Sequence, residues 1–114
     1  MKATVAELMR RLPGPVTKQW PQGERFAEAF RHGSMSVELY APVGSDPQAP
    51  HAQDELYFIQ SGSGTFVLDG VSHPFEPGDC FFVAAGVEHR FEDFSDDFST
   101  WVLFLGPQGG EHDA

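Results

Sequence analysis

From Glu24 onward the chain alternates short apolar runs rich in Phe, Val and Tyr with clusters of Gly, Pro, Asp and Ser, the punctuation of an all-β domain. The runs are Arg25 to Arg31, Ser34 to Ala41, Glu55 to Gln60, Gly64 to Leu68, Val71 to Phe75, Cys80 to Ala84, His89 to Phe94 and Thr100 to Leu105. Eight short strands joined by tight turns predict a sandwich, barrel or jelly roll. Asp69-Gly70, set between two such runs, predicts a two-residue hairpin, because Gly accepts the positive φ that a primed turn requires. One helix is expected, from Thr4 to Leu12. Thr4 can cap it, Glu7 stands three positions on as in a capping box, and Pro13-Gly14-Pro15 stops it. These elements divide the chain into an N-terminal helix and arm over residues 1–23, a barrel over 24–106 and a flexible tail over 107–114, too polar and glycine-rich to pack.

The same alternation exposes candidate chemistry. In Pro50-His51-Ala52-Gln53-Asp54-Glu55-Leu56-Tyr57, the residues His51, Gln53, Glu55 and Tyr57 share one parity, so an extended strand projects all four to one face. Leu56 and Phe58 fall on the other face, and two covered faces suit a barrel wall. A polar row turned into a barrel is costly unless it is paired or bound to a metal. His89 follows a distant apolar run and can fold against this row. Two neutral imidazoles and a carboxylate are a common ligand set for a divalent transition metal; the alternative is a partly buried, hydrogen-bonded His near an exposed acid.

Charge narrows the partners. Seven Lys plus Arg against 17 Asp plus Glu leave a formal net charge of −10 over 114 residues. Such a chain lacks the basic clusters that phosphate backbones need, so nucleic acid is not expected as a partner, whereas a cation is attracted. Cys80 is the only cysteine, so no intrachain disulfide can form, and beside Phe81 and Phe82 it reads as a small buried hydrophobe. No apolar leader opens the chain and its longest apolar stretch falls far short of a membrane span. The expectation is a cytoplasmic protein without membrane contact.

The residues around His51 resemble a known pattern. His51, Glu55 four positions on and Gly62 seven positions beyond that resemble the first cupin motif, G(x)5HxH(x)3-4E(x)6G. The stretch from Pro77-Gly78-Asp79 through Ala84-Ala85-Gly86-Val87-Glu88-His89 to Asp93 resembles the second, G(x)5PxG(x)2H(x)3N, and a hairpin separates the two. The resemblance covers residues 24 to 106 and implies a cupin double-stranded β-helix, that is a jelly-roll barrel, with a short N-terminal helix. It also implies one divalent metal, Fe, Mn, Ni or Zn, held by His51, Glu55 and His89.

The departures are specific. The first motif histidine falls on Ala49, its opening glycine on Val43, the proline of the second motif on Ala84 and its closing asparagine on Asp93. Gln53 is a candidate substitute ligand through its amide oxygen, and Asp93 a candidate partner to orient His89. Tyr57 is the candidate catalytic side chain, able to donate a proton or orient a ligand from inside the barrel. Three protein ligands leave positions for water and substrate, so the resemblance implies a small-molecule enzyme, dioxygenase-like with a redox-active ion or an isomerase or lyase with an inert one. The alternative is a non-catalytic module that binds a small ligand or a metal. A transcription factor of this family needs an added helix-turn-helix domain, for which 114 residues leave no room. The aromatic residues outnumber what so small a barrel can enclose, and with the family's habit of sheet packing they lead to a homodimer as the expected assembly.

Overall fold

A computed structural model describes residues 1–112. Thr4 accepts the Glu7 N–H on its hydroxyl at 3.2 Å and starts α1 (Val5–Met9), shorter than the sequence suggested. The eight expected strands all form: β1 (Phe26–His32), β2 (Met35–Tyr40), β3 (Asp54–Ser61), β4 (Gly64–Leu68), β5 (Val71–Phe75), β6 (Cys80–Val83), β7 (His89–Glu92) and β8 (Ser99–Leu105). They build two antiparallel sheets, one ordered β1-β2-β8-β3-β6 and the other β5-β4-β7. This is the jelly-roll barrel with a short N-terminal helix that the motif resemblance implied.

Turn chemistry sets the local register. Asp69 (φ 49°) and Gly70 (φ 80°) both take positive φ, and Leu68 pairs with Val71 across them, the expected primed hairpin. Gly62 is needed for two reasons: its φ is 84°, and a Cβ there would stand 2.6 Å from the Phe98 Cα. Any side chain would therefore push apart the loop that returns toward β8.

The barrel interior is aromatic at one end and polar at the other. Phe66, Phe75, Phe91 and Phe98 are each at most 4% exposed, and their rings meet with centroids 4.4 to 5.5 Å apart. The outer side of the larger sheet is covered in part by α1, where Leu8, 3% exposed, packs on Ala27 and Leu39. Burying that leucine contributes about 2 kcal/mol. Elsewhere on this outer side Phe58 and Phe82 stay exposed, 41% and 57%. Cys80 is also exposed there, not buried as expected, because it pairs with Phe58 on the outward parity of β3 and β6.

The chain after β8 corrects another expectation. Residues 109–111 return to the barrel: the Gly109 N–H donates to the Ala52 carbonyl at 2.6 Å and the Glu111 N–H to Asp54 Oδ2 at 3.0 Å. Backbone donors at Glu111 and Ala85 hold the Asp54 carboxyl below the usual carboxylate range. The last two residues of the expected flexible tail lie outside the described ones. No helix among the described residues is long and apolar enough to cross a membrane.

Candidate metal centre

Glu55 stands on the inward parity of β3, opposite Val83 of β6 and Phe104 of β8, and is 1% exposed. His89 opens β7 and reaches it from the smaller sheet, placed there by the pairing of β7 with β4. His51 comes from the segment that leads into β3. The three converge: their ligand atoms all lie within 4.8 Å of one another, with His51 Nδ1 3.2 Å and His89 Nε2 3.1 Å from Glu55 Oε1. Those two separations are of a size that one ion with bonds of about 2.0 to 2.2 Å can bridge.

Protonation follows from the neighbours. His89 Nδ1 lies 2.9 Å from the Val87 carbonyl, which only accepts, so Nδ1 donates there and Nε2 is the ring nitrogen free to serve as a ligand. Nε2, 3.1 Å from Glu55 Oε1, makes no hydrogen bond, and Glu55 Oε2 is likewise buried without a donor. Two buried polar atoms of one cluster, Nε2 and Oε2, are left without partners, which is costly in a dry interior, and the arrangement fits a cation. At His51, burial acts to lower the pKa. The Glu55 hydrogen bond and the charges of Glu55, Glu38 and Asp46 outweigh it, so the net shift is upward.

Other expected residues are placed differently. Gln53 does not join the cluster. The chain bends before β3 begins at Asp54, parity fails there, and the Gln53 amide donates to the Ser34 and Gly106 carbonyls, both at 2.9 Å. Asp93 does not orient His89: it is exposed, sits beyond the end of β7 with φ 51°, and the Val87 carbonyl takes that role. Tyr57 lies inside as expected but is wholly enclosed, its ring 5.8 Å from His89 and its hydroxyl donating to Gln48 Oε1 at 3.2 Å. Burial, then the Glu55 charge, push its pKa well above the usual value, so it stays protonated.

Three contributors escaped the sequence reading. Asp46, 4% exposed, accepts from the Tyr40 hydroxyl, from the Phe91 N–H at 2.9 Å and from the Gln48 amide at 2.8 Å, tying the loop after β2 across the barrel. Gln48 thereby reaches Tyr57. Glu38 is the third. It pairs with Val102, which pairs in turn with Tyr57, so Glu38 belongs to the inward row of the larger sheet. Burial raises its pKa to about 7 despite the opposing pull of His51. Its alternation in Ser36-Val37-Glu38-Leu39-Tyr40 was the available signal.

A cavity of about 360 Å³ adjoins the cluster on the His51 side, with Glu38, Trp20, Phe26 and Phe104 on its walls. Since the His51 side chain is 32% exposed and that of His89 is fully buried, access to the cluster is from this side.

The sequence profile of the cupin domain matches residues 36–104, well over half of the chain. The chain belongs to the cupin family. This cupin is 38% identical over 85 residues to an uncharacterized protein of Streptomyces coelicolor, spanning 73% of this chain and 81% of that protein. It is also 33% identical over 67 residues to the HTH-type transcriptional activator RhaS of Mannheimia succiniciproducens, 59% of this chain but only 25% of the activator, so the match spans about a quarter of that protein's length. Among solved structures, a Cupin 2 conserved barrel domain protein from Salinispora arenicola superposes with a TM-score of 0.65 at 16% identity, over 93% of this chain and 87% of that one, a likeness of fold. In this cupin the position of the first motif histidine, Ala49, is exposed and borders the cavity beside His51.

Proposed function

We propose that this cupin holds one divalent transition metal on His51, Glu55 and His89 and acts there as a small-molecule enzyme. The observation that carries the reading is that His89 Nε2 and Glu55 Oε2, both buried in a cluster whose ligand atoms lie within 4.8 Å of one another, have no hydrogen-bond partner. Bound Fe, Mn, Ni or Zn supplies Lewis acidity for isomerase or lyase chemistry or, with a redox-active ion, dioxygenase-like chemistry. The protein's own part follows from its geometry. Val87 fixes the His89 tautomer, Glu55 contributes the negative charge, and His51 stands on the side from which a substrate arrives. Tyr57 is a positioning residue: protonated and enclosed, it keeps Gln48, and with it the loop at the mouth, in place.

A second reading is favoured by Ala49, where the motif has a histidine: a non-catalytic module that binds a metal or small ligand. The unpaired Cys80 agrees with a cytoplasmic setting.

Elemental analysis of protein purified without chelator tests the metal. About one equivalent in the parent, lost in Glu55→Gln and His89→Ala while both variants stay folded, supports the site. No ion in the parent even after reconstitution overturns it. Turnover of a screened substrate that requires the ion selects the enzyme over the module.

A further inference from the structure

The cavity beside His51 has an unusual chemical balance. Its walls include four aromatic residues, Trp20, Phe26, Tyr40 and Phe104, and one acid, Glu38, with His51 as the one basic side chain and no lysine or arginine. The rings are fixed. Trp20 packs edge-on against Phe26 and Tyr40 with centroids 6.1 and 6.0 Å away, and Phe104 packs on His51 at 4.9 Å. Among the described residues, the Glu38 side chain makes no hydrogen bond and no ion pair. A carboxylate half-buried against an aromatic wall without a protein partner is poorly solvated, and its raised pKa has the same cause.

We propose that this cavity is the substrate pocket and takes a small organic cation, an amine or quaternary ammonium compound, whose charged head sits among the aromatic rings against Glu38. Aromatic faces attract such heads through their quadrupole, and a single desolvated carboxylate supplies the counter-charge. An anionic head at this position meets the Glu38 charge, offset on the same wall only by His51. The volume, about 360 Å³, suits a ligand of small-metabolite size. The inference deepens the small-molecule reading of the barrel and rests on it, but it does not require the ion.

Three probes of nearly equal shape separate charge from fit: choline, its neutral isostere 3,3-dimethylbutan-1-ol, and 3,3-dimethylbutanoate. Calorimetric titration of full-length protein, both metal-free and zinc-loaded, is expected to show saturable choline binding at least tenfold tighter than the alcohol and no binding of the acid. Glu38→Gln is expected to weaken choline at least tenfold and bring it level with the alcohol, with its melting temperature confirming a folded variant. Equal affinity for choline and the alcohol in the parent, unchanged choline binding in Glu38→Gln, or no choline binding at millimolar concentration overturns the proposal. Zinc content is read on the same samples, so choline binding without zinc defeats only the metal site, and zinc without choline binding defeats only the pocket.

Discussion

Asp46 and Glu55 are both buried carboxylates, 4% and 1% exposed, but their surroundings differ. Asp46 sits in the loop after β2, and each of its oxygens meets donors: the Tyr40 hydroxyl and Gln48 N–H on one, the Phe91 N–H and Gln48 side-chain amide on the other. Glu55 sits in a strand. One of its oxygens faces two imidazole nitrogens, and the other meets no donor. A buried carboxylate whose oxygens are both met by donors ties the fold together, whereas one with an oxygen left without a donor raises the energy of the empty protein and lowers it when a cation arrives. Unmet hydrogen-bonding capacity, not burial, separates the site from the strut.

The comparison breaks most visibly through metal affinity. Glu55→Gln or His89→Ala is expected to weaken binding on the order of 100-fold or more, since losing a ligand costs at least as much as losing an outer hydrogen bond to one, while Asp46→Asn retains the ion. Competition with a chromophoric chelator measures all three. If Asp46→Asn loses the ion as readily, the division between site and strut is wrong.

Stability should reverse the order. In metal-free protein, Asp46→Asn is expected to cost about 2–3 kcal/mol, because it disturbs a fully satisfied buried network. That lowers the melting temperature by roughly 4–8 °C per kcal/mol. Glu55→Gln should change stability by less than about 1 kcal/mol, because it removes a buried charge that has one oxygen without a donor. Urea melts of the two apo variants at neutral pH decide it.

Glu38 provides an intermediate case, an inward acid with no donors but some exposure. Its pKa is about 7 in the folded protein against an ordinary 4.5, so between these values the folded state binds more protons than the unfolded one. Stability from this group is therefore fully present below pH 4.5 and is lost as pH rises through 7. Allowing for solvent, the loss is on the order of 1–2 kcal/mol, and Glu38→Gln should remove it. Chemical melts of metal-free protein at acidic and alkaline pH check the slope. A parent and variant that run parallel would show that Glu38 is better solvated than its position implies.

The smallest effect belongs to the periphery. Thr4→Ala removes the cap of α1 and should cost about 0.5–1 kcal/mol with metal content unchanged, read by thermal melting and elemental analysis together. A loss of metal there would mean that the helix, although it packs on the outer face, is coupled to the site.

How much of this was legible can be judged residue by residue. The hairpin at Asp69-Gly70 and the cap at Thr4 depend on φ preferences and hydrogen bonds within a few residues, and both were readable. His51 and Glu55 were readable from their spacing, and His89 from the second motif. Gln53 was misplaced because parity holds only in extended chain, and the chain bends before Asp54. The tail looked unable to pack because its partners are backbone groups of Ala52 and the Asp54 carboxylate, which no apolar pattern announces. Glu38 and Asp46 carried no motif.

By itself the sequence determined the strands, the turns between them, the cupin family and the three residues of the candidate metal centre, because alternation, turn chemistry and motif spacing are written locally. Only the tertiary structure decided which acids are satisfied and which are not. It tied Asp46 to Phe91 across 45 positions, turned Nε2 of His89 toward Glu55, and set Glu38 in the row of Val102 and Tyr57 by placing β8 between β2 and β3. Strand order and loop closure act between residues far apart in the chain, and the energy of a buried charge depends on the neighbours those contacts supply.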